Sequence, residues 1–124
     1  MPKNTLFNSF NERALGDAKE RLAEQYLRNH HVTIIERNYH CRFGEIDLIA
    51  QDENSLVFTE IRYRKNKHYG GAAFSVDTKK QKKLIASAQH YLQSHKQWQS
   101  KPCRFDVVAL EGDDINWIKN AFQL

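Results

Sequence analysis

The chain has 124 residues, enough for one domain that buries roughly two-thirds of its unfolded surface without staples. Apolar residues are 40% and charged residues 27%, an ordinary globular balance, and no apolar run reaches the ~18–20 residues of a membrane-spanning helix. Nineteen Lys and Arg against fifteen Asp and Glu give a net charge of +4, and two cysteines make no disulfide framework. The first thirteen residues hold no apolar stretch of the kind a secretory signal needs. The reducing cytoplasm is therefore the expected compartment, with no membrane partner.

Residues 1–12 are Asn-rich and are expected to form a disordered tail, leaving 13–124 as a single domain. From Leu15 the apolar positions Leu15, Ala18, Leu22, Ala23, Tyr26 and Leu27 recur at helical spacing, predicting a helix that ends near 28–31. Val32–Tyr39 is β-branched and aromatic and reads as a strand. Glu45–Ala50 and Ser55–Tyr63 alternate as two further strands, joined through the turn residues Asp52, Glu53 and Asn54. After a polar loop containing Gly70 and Gly71, Thr78 and Gln81 fit a capping box that opens a helix to about Ser94. Its apolar stripe is Leu84, Ile85, Ala88, Tyr91 and Leu92. Cys103–Leu110 and Ile115–Ile118 read as two last strands. The expected class is α/β: a mixed central sheet flanked by helices, in the order α-β-β-β-α-β-β.

The central hairpin carries the main chemical signal. A turn centred between Glu53 and Asn54 sets Asp47 opposite Glu60 and Glu45 opposite Arg62. Directly opposed Cβ atoms lie about 4.5–5.5 Å apart. Period two places these four on one face with Ile49, Leu56 and Phe58, and Ile46, Leu48, Val57, Thr59 and Ile61 on the other. Two opposed, half-buried carboxylates repel unless they share a proton, gain cationic neighbours or bind a divalent metal. A pair of carboxylates suits Mg²⁺ or Mn²⁺, with water and phosphate oxygens filling the other positions. The competing reading is a structural network with a nearby lysine.

A basic block follows the hairpin. Residues 62–83 hold Arg62, Arg64, Lys65, Lys67, Lys79, Lys80, Lys82 and Lys83 against one acid, Asp77, so this stretch carries +7 and the remainder −3. Such a cluster attracts phosphates at long range and predicts a nucleic-acid surface. A solvated helix face beside a charged loop would look the same. Tyr63, Tyr69 and Phe74 interleave with the cations, as where bases are contacted.

Gly44–Ala50 (GEIDLIA) and Val57–Arg64 (VFTEIRYR) together have the form D-x12-E-x-R, which resembles the PD-(D/E)-x-K core of restriction-endonuclease-like nucleases. More narrowly, the chain resembles the YraN family of short bacterial proteins. The pattern runs through Glu20, Ala23, Glu36-Arg37-Asn38, Gly44–Ile49, Glu60-x-Arg62-x-Arg64 and Gly71. It continues through Val76, Lys80, Leu84, Ala88, Tyr91-Leu92 and Arg104-Phe105-Asp106.

The resemblance implies Asp47 and Glu60 as metal ligands, Arg62 at the signature lysine position and Glu20 as an additional acid, forming a catalytic set. It implies a metal-dependent endonuclease that hydrolyses phosphodiesters with metal-activated water, acting on DNA ahead of structured RNA. Arg64, Lys65, Lys67, Lys79, Lys80 and Lys83 are the expected nucleic-acid contacts. Arginine stays charged where a lysine can move a proton. A non-catalytic nucleic-acid-binding or adaptor module that retains the nuclease fold is therefore the alternative. His30, His31, His40 and Cys41 lack zinc-site spacing.

Overall fold

The computed structural model describes residues 5–64 and 76–123, with the backbone alone for 5–13. The order is α1 (Thr5–Asn29), β1 (Thr33–Cys41), β2 (Gly44–Asp52), β3 (Ser55–Arg64), α2 (Thr78–Gln93), a 3-10 turn (Lys96–Trp98), β4 (Cys103–Glu111) and β5 (Asp114–Phe122). The five strands lie in sequence order across one sheet; β3 and β4 are parallel and the other neighbours antiparallel. Helix α2 lies on the chain between the two parallel strands, as parallel pairing requires a long crossover. The expected mixed α/β class and order α-β-β-β-α-β-β hold. Among the described residues no helix is long and apolar enough to cross a membrane.

Each sheet face has its own core. On one, Ile49, Leu56, Phe58, Phe105 and Val107 pack with Leu84, Ala88 and Tyr91 of α2. On the other, Leu48, Ala50, Val108 and Leu110 pack with Ala23 and Leu27 of α1. The central strands β2, β3 and β4 are buried on both faces, which is why their sequences are richest in consecutive apolar residues, while the edge strands β1 and β5 are largely exposed.

Several expectations need correction. Leu15 and Leu22 are 48% and 45% exposed, so the buried stripe of α1 is narrower than its apolar spacing suggested and runs through Ala23 and Leu27. The α2 cap is Asp77, not Thr78: its side chain accepts the Lys80 N–H at 2.8 Å, and Gln81 donates to the Val76 carbonyl instead of closing a box. Alternation also fails at Asp47. Ile46 packs on the α2 side with Ile49, although Leu48 packs on the α1 side. Three-residue spacing cannot put Ile46 and Ile49 on one face of a regular strand. The strand is therefore kinked, and Asn38, in the stretch of β1 facing it, has a left-handed φ of 51°.

Candidate functional site

The hairpin turn delivers the expected register through Asp52↔Ser55, Ile49↔Phe58 and Leu48↔Thr59, and there the ladder ends. Beyond it the strands part, and Asp47 Oδ2 accepts the Ile61 N–H at 2.8 Å in place of a backbone partner. This splay undoes the expected Glu45–Arg62 pairing. Glu45 instead meets His40 at 3.2 Å on the exposed flank of the β1–β2 turn. The gap opened between β2 and β3 is where the acids collect.

Glu60 is 8% exposed. Lys80 Nζ, from the first turn of α2, lies 3.6 Å from Glu60 Oε2, and Arg62 Nη2 lies 3.9 Å from the same oxygen. Burial, then repulsion from Asp47, pushes the Glu60 carboxyl up to about 7 against the pull of Lys80 and Arg62. Burial likewise raises Asp47, despite the Ile61 N–H and a hydrogen bond with Glu60. The consistent picture is one shared proton, carried by Glu60 and directed at Asp47. Glu20 of α1 is also raised, by burial first and by Asp47 next. It lines a cleft of about 270 Å³ with Asp47, Asp17, Arg21, Glu24 and Arg37.

The structure thus brings Asp47, Glu60, Arg62 and Lys80 together and sets Glu20 beside Asp47. Lys79 and Lys83 are exposed on α2, outside the acidic gap. Arg64 closes β3, its carbonyl accepting the Gly112 N–H at 3.0 Å. Lys65, Lys67, Tyr69 and Phe74 lie outside the described residues. Among the described residues no three His, Cys, Asp or Glu side chains form a metal-holding group. What remains is the Asp47–Glu60 pair, a set that fits Mg²⁺ when water and phosphate supply the other oxygens.

Three features escaped the sequence reading. Arg37 on β1 binds Glu24 of α1, with Nε to Oε2 at 2.7 Å, and Arg28 binds the same carboxylate at 2.9 Å. Lys19 sits 4.5 Å from the centre of the exposed Tyr63 ring. Asp106 is held by Arg104, by Trp117 Nε1 at 2.8 Å and by the Asn120 N–H at 2.9 Å. Only the Arg104-x-Asp106 spacing hinted at the last.

Comparison with known proteins supplies the lineage. The family described as "Uncharacterised protein family UPF0102" matches residues 19–110. A UPF0102 protein of Saccharophagus degradans is 50% identical over 109 residues, spanning 88% of this chain and 92% of its own. One from Stutzerimonas stutzeri is 48% identical over 112 residues, spanning 87% of this chain and 93% of its own. One from Alcanivorax borkumensis is 49% identical over 112 residues, 86% of this chain and 90% of its own. Both cores and the whole acidic gap fall inside the matched region.

Proposed function

The chain belongs to the UPF0102 (YraN) family, and from its acidic gap we propose a divalent-metal-dependent nuclease with a restriction-endonuclease-like core, hydrolysing phosphodiesters in DNA. The observation that carries this reading is the Asp47–Glu60 pair, desolvated and mutually repelling at the parted end of β2 and β3, with Lys80 and Arg62 on its rim. A carboxylate pair held for structure alone would be expected to have a cation at hydrogen-bond distance; among the described residues, Lys80 and Arg62 stand at 3.6 and 3.9 Å from Glu60. The β2–β3 hairpin that bears the acids, followed by a helix and a parallel strand, supports the assignment of the core.

Asp47 and Glu60 would hold Mg²⁺ or Mn²⁺, with Glu20 close enough to Asp47 to add to the negative field. When bound, the ion supplies Lewis acidity to a phosphate oxygen and acidifies water. Arg62 presents a guanidinium fork suited to two phosphate oxygens. Lys80, Lys79 and Lys83 line up along α2 as contacts to the backbone. Because Arg62 keeps its charge, it orients and stabilises but moves no proton. That feature favours the second reading, a nucleic-acid-binding module on the same fold.

A melting experiment with Mn²⁺ tests the site. A ligand that binds only the folded state stabilises it by about 2.7 kcal/mol at a hundred times its Kd. Wild type should gain several degrees, and Asp47→Asn should gain none. Equal gains in both would place the metal elsewhere. With Mn²⁺ and labelled DNA, wild type should cut and Glu60→Ala should not. If wild type binds DNA but cuts no form of it, the second reading replaces the first.

A further inference from the structure

Of the basic block that the sequence advertises, Lys79, Lys80, Lys82 and Lys83 lie on α2, on one face of the sheet. A second set lies on the opposite face. Arg28 on α1 and Arg37 on β1 converge on Glu24, whose side chain is 12% exposed, while their own are 53% and 57% exposed. Arg21, two turns before Arg28 and exposed, has no hydrogen bond or ion pair among the described residues. In the groove lined by Arg21, Glu24, Gln25, Arg28 and Arg37, one carboxylate faces three guanidiniums, a surplus of two positive charges, whereas the adjoining cleft adds the acids Asp17, Glu20 and Asp47. Glu24 is itself held below the usual carboxylate range, by its hydrogen bond from Arg37 above all.

This second set is continuous with the acidic gap. Arg21, Glu24 and Arg37 line the same cleft as Glu20 and Asp47, and the cleft's neighbour is lined by Arg21, Gln25, Arg28 and Arg37. The acids therefore stand between two cationic walls: lysines of α2 on one side, arginines of α1 and β1 on the other. A site for a free divalent ion would not need the second wall. A phosphodiester chain crossing the acids would, because the phosphates flanking the central one need partners on both sides.

We propose that Arg21, with Arg28 and Arg37 fixed by Glu24, forms a phosphate clamp for the nucleic-acid backbone where it leaves the acidic gap on the α1 side. This inference rests on the nucleic-acid reading above and adds the path of the strand. The guanidinium fork matches phosphate oxygens in pairs, and holding Arg28 and Arg37 in place beforehand reduces the entropy lost on binding. Arg21 is the member free to engage without breaking an internal pair.

The test is a fluorescence-anisotropy titration of a labelled single-stranded and a duplex oligonucleotide, with Ca²⁺ present, at several salt concentrations. Arg21→Ala should weaken binding about tenfold and lower the log–log salt slope by about 0.7–0.9. Its melting temperature should match wild type, since no hydrogen bond or ion pair to a described residue is lost. Arg37→Lys keeps the charge but loses the fork, and should fall between the two. A Lys79→Ala, Lys83→Ala double variant tests the opposite wall. If it loses affinity while Arg21→Ala keeps both affinity and slope, the clamp is wrong and the nucleic-acid reading stands. If wild type itself binds no oligonucleotide, both fall.

Discussion

Asp106 and Glu60 are near neighbours on the parallel ladder, where Asp106 pairs with Thr59 and Val107 with Glu60. Both acids are buried, at 1% and 8% exposure. Around Asp106, demand for charge is met inside the fold. Arg104 Nε donates at 3.0 Å, Trp117 Nε1 at 2.8 Å and the Asn120 N–H at 2.9 Å. Arg104 in turn reaches Asp52 at 2.7 Å, tying the β2–β3 turn to β4. Around Glu60 the cations among the described residues, Lys80 and Arg62, stand at 3.6 and 3.9 Å, and Asp47 adds repulsion. The difference teaches that burial of a carboxylate is not itself a sign of function. What distinguishes a site is charge that the fold collects and leaves uncompensated.

Removing Asp106 should therefore do the most damage to the fold. Asp106→Ala strands the Trp117 and Asn120 N–H groups and leaves Arg104 half-paired. Breaking a buried ion pair from one side costs about 3–5 kcal/mol. For a chain of this length the melting temperature should drop by roughly 10–20 °C, read by circular dichroism. A fall of only a degree or two would mean that the network contributes little and that the contrast with Glu60 is one of geometry alone.

Part of this contrast was legible beforehand. The turn at Glu53-Asn54 fixes register locally, so the approach of Asp47 and Glu60 could be read from spacing alone, as could the two-sided burial of β2 and β3. The kink at Asp47 could not, because nothing in the local spacing marks it; Asn38, facing it on β1, has a left-handed backbone. Nor could the approach of Lys80, which is set by how α2 seats on the sheet after the crossover. The Arg37–Glu24 pair joins β1 to α1. Asp106 meets Trp117 and Asn120 only because β5 shifts register between Phe105 and Val107. Such contacts are decided by packing between elements, and periodicity within one element carries no record of them.

The protonation of Glu60 gives a gentler test. Its ordinary value is 4.5 and in the fold it lies at about 7. Between those values the folded chain holds a proton that the unfolded chain has released. The stabilising contribution is thus full below about pH 4.5 and is lost as pH rises to about 7. Glu60→Gln keeps a neutral donor toward Asp47 and does not titrate. Its melting temperature relative to wild type should be near zero at about pH 5 and rise by a few degrees by about pH 8. A difference that stays flat across this range would show that Glu60 is ionised throughout.

Thr59 stands between the two acids, beside Glu60 in sequence and across from Asp106 on the ladder. It is 1% exposed, and its Oγ1 has no hydrogen-bond partner. A buried hydroxyl without a partner costs on the order of 1 kcal/mol or more, so an apolar replacement of the same shape removes a penalty. Valine keeps the β-branch that suits a strand. Thr59→Val should therefore stabilise the protein by about 0.5–1 kcal/mol, a rise of roughly 2–4 °C. The sign matters more than the size. A rise would show that neither acid relies on the hydroxyl, leaving Asp106 complete without it and Glu60 still short of partners. A fall would mean that Thr59 donates to one of them in solution. Repeating the measurement on the Asp106→Ala and Glu60→Gln backgrounds would then identify which, because the loss disappears where its acceptor has been removed.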